Sequence, residues 1–252
     1  MAAGRIASLM LLLSVPTVVN SIKDGQAVSQ CDYPGLVLLV LPENGLIICH
    51  GVRSNGVLYL PELCGRSLSD ILPFSESLAL IYGDGTKNIT ISINSTGTLN
   101  NGIFQMDIPE PLEPDCNGEA TLFNTSMAVN SSTCELVSYG GDRDEAKIYD
   151  GSLKAAQLTK STSTTCCMVI LNSLTFSQKG VFIDPQSPRN CVASSGSTCG
   201  LADLGAPVYC KTTAGAQVVM GLTASFPCEN GGTFVLNDFT DADSSFKFGI
   251  TG

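Results

Sequence analysis

Hydrolysis through a covalent intermediate needs a hydroxyl or thiol to attack, a base to take its proton, and a carboxylate to orient the base. This chain has one histidine, His50, so an imidazole-based site is built on that residue or not at all. Ser197 and Thr198 carry hydroxyls but have no base placed beside them. Eleven cysteines offer two other chemistries, metal ligation and disulfide bonding. A lone histidine and the lack of any Cys-x-x-Cys pair argue against zinc, so no metal and no cofactor is expected. The cysteines read instead as a disulfide framework with one thiol left over. N-x-S/T sequons at Asn88, Asn94, Asn124 and Asn130 are candidate N-glycosylation sites and predict surface loops there.

The framework fits the start of the chain. Residues 1–21 read as a secretory leader: Arg5 supplies a positive n-region, Ile6 to Val19 is largely apolar, and Val19 and Ser21 satisfy the small-residue rule before a cut after Ser21. The apolar run is too short to span a membrane, and no later segment reaches that length. The chain of 252 residues carries a net charge of −10, and loses one more positive charge if Arg5 leaves with the leader. Such an acidic protein has little with which to neutralise phosphates, so neither nucleic acid nor an anionic membrane is expected as a partner. The reading is of a secreted, extracellular glycoprotein.

The elements that would position a site are strands. Short apolar runs are broken by turn residues, and no convincing amphipathic helix stands out. Leu36 to Leu41 and Leu46 to Cys49 flank Pro42-Glu43-Asn44-Gly45, a good hairpin turn, and Val57 to Leu60 follows Asn55-Gly56. Leu78 to Tyr82 and Ile89 to Ile93 flank Gly83-Asp84-Gly85, and Val208 to Lys211 and Val218 to Thr223 flank Thr213 to Gly215. Many short strands at this spacing predict an all-β barrel or sandwich. The stretch from Pro109 to Thr133, rich in Pro, Asn and Ser, reads as a linker crossing between two units.

Cys199 to Cys210 reads C-G-L-A-D-L-G-A-P-V-Y-C. It resembles the nucleophile loop of chymotrypsin/trypsin-like serine proteases, G-D-S-G-G-P-hydrophobic-x-C, with Asp203, Gly205, Pro207 and Cys210 in register and Leu204 where the serine belongs. Ile22-Lys23-Asp24-Gly25, followed by Tyr33-Pro34, is similar to the family's mature N-terminus. The resemblance covers roughly residues 22–235. It implies two six-stranded antiparallel β-barrels within a single domain at 22–252, barrel one about 22–115 and barrel two about 130–252.

The resemblance also implies a triad that has been lost. Leu63, before Cys64, stands in the histidine's place; Gly102, before Ile103, stands in the aspartate's; Leu204 stands in the serine's. The oxyanion loop has Ala202 where glycine is usual, and the Cys199 to Asp203 interval is one residue longer. The substrate-binding segment is matched by Ala224-Ser225-Phe226, which would put a phenyl ring at the mouth of the specificity pocket. His50, next to Cys49, reads as a packed or surface residue, since a base without a nucleophile does not cleave peptides by this route.

In the family a new N-terminal ammonium pairs with the aspartate before the nucleophile, which implies an ion pair between Ile22 and Asp203, freed here by leader cleavage alone. The family's bridges imply Cys49–Cys64, Cys134–Cys210 (Cys134 lying ahead of Val137-Ser138-Tyr139-Gly140), Cys199–Cys228, and Cys191 with Cys166 or Cys167. Cys31 and Cys116, outside the usual set, are expected to pair with each other. The implied function is that of a catalytically dead homologue, with no enzyme activity, acting on an extracellular protein partner as a decoy, inhibitor or cofactor in a proteolytic or immune pathway. A structural or adhesive glycoprotein on the same scaffold is the alternative, and a weak serine endopeptidase the least favoured reading.

Overall fold

The computed structural model describes residues 22, 25–71, 77–84, 87–92, 97–100, 102–108, 113, 116, 118–139, 149, 151–160, 189–194, 203–224 and 233–239. The leader, Ala202, Ser225, Phe226, Asn94 and Cys166, Cys167, Cys199 and Cys228 lie outside them, as do the expectations that rest on those residues.

Two antiparallel sheets make up the molecule. In the first, seven strands run β6-β5-β2-β3-β4-β8-β7. These are β2 (Leu36–Val40), β3 (Ile47–Ser54), β4 (Val57–Pro61), β5 (Ser77–Tyr82), β6 (Lys87–Ser92), β7 (Gly97–Asn100) and β8 (Ile103–Asp107). In the second, β9 (Val129–Tyr139), β10 (Leu153–Lys160), β11 (Arg189–Ser194), β14 (Thr233–Asp238), β13 (Gln217–Thr223) and β12 (Pro207–Thr212) close on themselves, because β9 pairs with both β12 and β10. A two-residue strand, β1 (Gln26–Ala27), adds to β10. The start of the chain therefore belongs to the second barrel's sheet rather than to the first.

Strand alternation divides the side chains between three cores. Along β2, Val37 and Leu39 point into the first barrel, while Leu36, Leu38 and Val40 point into the seam between the barrels. Along β9 and β12 the same period sends Cys134, Leu136, Val208 and Cys210 into the second barrel, and Val137, Tyr139 and Tyr209 into the seam. That is why β2 reads as an unbroken apolar run: both of its faces are buried. Two phenol contacts help hold the seam. Tyr209 donates to the Pro34 carbonyl at 2.9 Å, and Tyr33 donates to Glu135 at 2.8 Å.

The turns follow their residues. Asn55 and Gly56 both have positive φ, 53° and 75°, as a two-residue hairpin of the primed type requires. The crossing segment is less free than its composition suggests. Ala120 N donates to the Arg53 carbonyl and Gly35 N to that of Gly118, while Phe123 N and Val219 N bond to Val219 and Thr121 carbonyls, so it is stitched to both barrels before β9 begins at Val129.

Among the described residues, a 3-10 turn at Gln30–Asp32 and one α-helix depart from the all-strand reading. Helix α1 (Glu62–Ile71) follows Pro61 directly. Its sequence holds Gly65, Ser67 and Ser69, all weak helix formers, which hid it. Tertiary contacts sustain it: Cys64 and Leu68, four residues apart, are buried in the first barrel's core, and Cys64 is bonded to Cys49 of β3. Cys31–Cys116 and Cys134–Cys210 are also closed.

Candidate functional site

The three cleft positions converge on the junction of β4 and α1. Leu63 is the second residue of α1. The Gly102 carbonyl accepts the Glu62 N–H at 2.9 Å, which sets the residue before β8 against the helix start. Leu204 packs partly buried against the first barrel's core, which includes Leu60, Cys49 and Cys64. It sits in a four-residue turn, Asp203 to Ala206, closed by Ala206 N donating to the Asp203 carbonyl. Gly205 has φ +78°, the conformation the third residue of such a turn needs. A Cβ at Gly205 would collide with the His50 carbonyl oxygen and come within 3.0 Å of Pro61 Cδ, so glycine is required twice over. Thr223 clamps the turn through its hydroxyl to the Asp203 carbonyl at 2.6 Å and its N–H to that of Ala206; Ala224, which follows it, is buried.

The place of a carboxylate at Gly102 is taken. Gly102 has φ +76°, and a Cβ built there meets Asn237 Nδ2 at 2.7 Å. Asn237, buried at the end of β14, donates that amide to the Gly102 carbonyl at 2.5 Å. Its side chain occupies the space an aspartate side chain would need.

Where β3 meets the end of β9, between the barrels, lies a constellation that the sequence did not place: His50, Ser138 and Asp203. All three are buried, with His50 and Ser138 fully inaccessible. The Ser138 hydroxyl donates to Asp203 Oδ1 in a short hydrogen bond and lies 3.4 Å from His50 Nε2. Nε2 accepts the Tyr139 backbone N–H at 2.9 Å, and the imidazole stacks on the Tyr139 ring at 5.8 Å. An accepting Nε2 puts the neutral ring's proton on Nδ1, which has no hydrogen-bond partner. Burial pushes the His50 pKa down to about 4.

The parts of a triad are present, but their bonds run in a different order. In a working triad the carboxylate takes the Nδ1 proton and Nε2 faces the hydroxyl. Here the carboxylate takes the hydroxyl directly, Nε2 is engaged by a backbone N–H, and the serine is buried. His50 was recognisable as the sole histidine. Ser138 carried no signal beyond lying in the segment after Cys134, because its partners come from β3 and the turn before β12.

The remaining predicted residues fall as follows. Ile22 is buried in the second barrel among Leu136, Ala156 and Ala206. Asn124 and Asn130 are exposed, each with Oδ1 accepting from the serine two residues on, and Asn88 lies on β6, an edge strand. Cys191 lies on β11. Among the described residues no cluster of metal-ligating side chains occurs, and no helix is long and apolar enough to cross a membrane.

No family model matches this chain, and no curated protein matches it. Among solved structures it is similar to neuropsin, described as a serine protease expressed in the limbic system of mouse brain, with a TM-score of 0.54, 16% identity, and coverage of 85% of this chain and 93% of that one. At that identity the likeness shows the fold alone. The fold is chymotrypsin-like: mostly β, two antiparallel barrels, disulfide-bonded.

Proposed function

We propose that this chain is a secreted, catalytically silent homologue of trypsin-like serine proteases that works by binding an extracellular protein, as a decoy, inhibitor or cofactor in a proteolytic or immune pathway. The observation that carries the reading is the Asn237 amide hydrogen-bonded to Gly102, where the orienting carboxylate would have to sit. Leucines at 63 and 204 offer no base and no nucleophile. The one histidine is committed to the seam, and its serine neighbour is shielded from solvent. Three closed disulfides fit an oxidising, extracellular environment. The buried Ile22 side chain, close in the core to Ala206, suits an ion pair between a freed Ile22 ammonium and Asp203 after leader cleavage. A rigid scaffold of this kind presents loops, and loops are where binding residues concentrate.

The test uses the mature, glycosylated protein from Ile22 as crosslinking bait, alongside a hydrolysis assay on a mixed peptide library. Capture of a protease, protease inhibitor or cascade protein that rebinds in purified form, with no hydrolysis above a heat-denatured control, supports the reading. Turnover of any peptide overturns it. Two exposed sequons, at Asn124 and Asn130, favour the second reading, a structural or adhesive glycoprotein. That reading gains if no partner rebinds and glycans are found on both.

A further inference from the structure

The first barrel grips the second through His50 at two points. Its main-chain N–H donates to the Leu204 carbonyl at 2.8 Å, and its ring Nε2 accepts the Tyr139 N–H at 2.9 Å. The Leu204 bond holds the Asp203–Ala206 turn, and the Tyr139 bond holds the end of β9. The ring bond exists only while Nε2 keeps its lone pair, because a protonated imidazole has two donors and no acceptor. The ring is wholly buried, so a proton there also places an unhydrated charge between the barrels.

We propose that His50 is an acid-operated clasp between the barrels: protonation of Nε2 sets two donors against each other at Tyr139 and frees the end of β9, together with the Asp203–Ala206 turn that Ser138 ties to it. The proton comes from solvent, and only hydrogen bonds break. Titratable groups lie on the elements around the ring. Asp203 lies on the turn before β12, with its carboxylate engaged by Ser138. Tyr139 stacks on the ring, with Tyr149 edge-on behind it, and Asp84 of the β5–β6 turn acts on Tyr139. Glu62 follows Pro61, which flanks Gly205 together with the His50 carbonyl. The Tyr139 phenol, held far above its usual pKa by burial, stays neutral throughout. Asp203 is the competing group, since its carboxylate could capture the imidazolium and keep the seam shut.

The ordinary pKa of 6.5 falls to about 4 in the closed seam, so the clasp is shut at neutral pH and weakens in acid. A shift of that size allows the open-to-closed ratio to rise by roughly a hundredfold or more across the interval. The experiment follows the single imidazole of the full-chain protein by NMR from pH 7.5 downward, with amide-exchange protection factors measured in parallel. The expected result is a ring that stays neutral below pH 5. Protection at Tyr139, Gly205 and Ala206 should fall by roughly a hundredfold toward pH 4 and stay below that at Val218 and Met220 in the second barrel's core at every pH. His50→Gln, whose amide oxygen accepts but does not protonate in this range, should flatten the loss; the wild-type titration decides the matter if that variant does not fold. The clasp is overturned if the ring titrates at or above its ordinary value with protection intact, the mark of capture by Asp203. It is equally overturned if protection at these amides does not fall between pH 6.5 and 4, or falls by the same factor in a folded His50→Gln.

Discussion

The Asp203–Ala206 turn sends Leu204 against the first barrel's core and Asp203 to Ser138 in the seam, and the two regions differ in the groups they hold. The positions that resemble a triad hold Leu63 and Leu204, both apolar, and Gly102, whose carbonyl accepts the Asn237 amide. The seam has hydroxyl, imidazole and carboxylate, but they are buried and wired serine-to-aspartate, with the histidine turned to a backbone N–H. Under the proposed reading, possession of the three side chains does not by itself give activity. The order of their hydrogen bonds and their access to substrate decide it.

If the seam carries structure and the cleft does not, substitutions on the two sides should differ in cost. Gly205→Ala, which forces a side chain against the His50 carbonyl at positive φ, should cost most, about 4 kcal/mol by urea unfolding. A cost below about 1 kcal/mol would mean that the turn is not held as described. Acidification tests the same side without a substitution. The folded His50 pKa, about 4, lies below the unfolded 6.5, so the stability gained from keeping the ring neutral is complete above pH 6.5 and is lost as pH falls through about 4. The loss should approach about 3 kcal/mol and be absent in His50→Gln, as unfolding at each pH would show.

On the cleft side, the triple variant Leu63→His, Gly102→Asp, Leu204→Ser should recover no peptidase activity and lose about 2 kcal/mol, chiefly from the strained aspartate pressed on Asn237. Turnover by the triple variant would show that Asn237 yields, and that the cleft is dormant rather than filled. The smallest effect is expected at the surface. Asn124→Gln and Asn130→Gln should change stability by less than about 0.5 kcal/mol, while each removes one glycan from the mass of the secreted protein. An unchanged mass would take both sites out of use.

Much of the scaffold was legible because it is written in local signals. Asn55-Gly56 and Pro42-Glu43-Asn44-Gly45 marked hairpins, and the short apolar runs of β2, β12 and β13 marked strands. Helix α1 was not legible, since Gly65, Ser67 and Ser69 hide it and only packing at Cys64 and Leu68 sustains it. The crossing segment read as a linker because its composition says nothing of the backbone bonds that Arg53, Gly35 and Val219 make to it. At the site, Leu63 and Leu204 were visible as departures from a motif. Asn237 as the occupant of the Gly102 space was not, because the two residues are 135 apart in the chain and meet only across the barrels. Ser138 escaped for the same reason: its partners His50 and Asp203 lie 88 and 65 residues away.

The most direct test of catalytic silence is covalent. The mature protein is incubated with a fluorophosphonate at neutral pH and its peptides are mapped by mass spectrometry, with Ser138 read individually. The account predicts no adduct on Ser138 and none on any other serine above the heat-denatured control. A stoichiometric adduct on Ser138 would show that the seam opens to substrate and that its hydroxyl is activated, and would contradict the account.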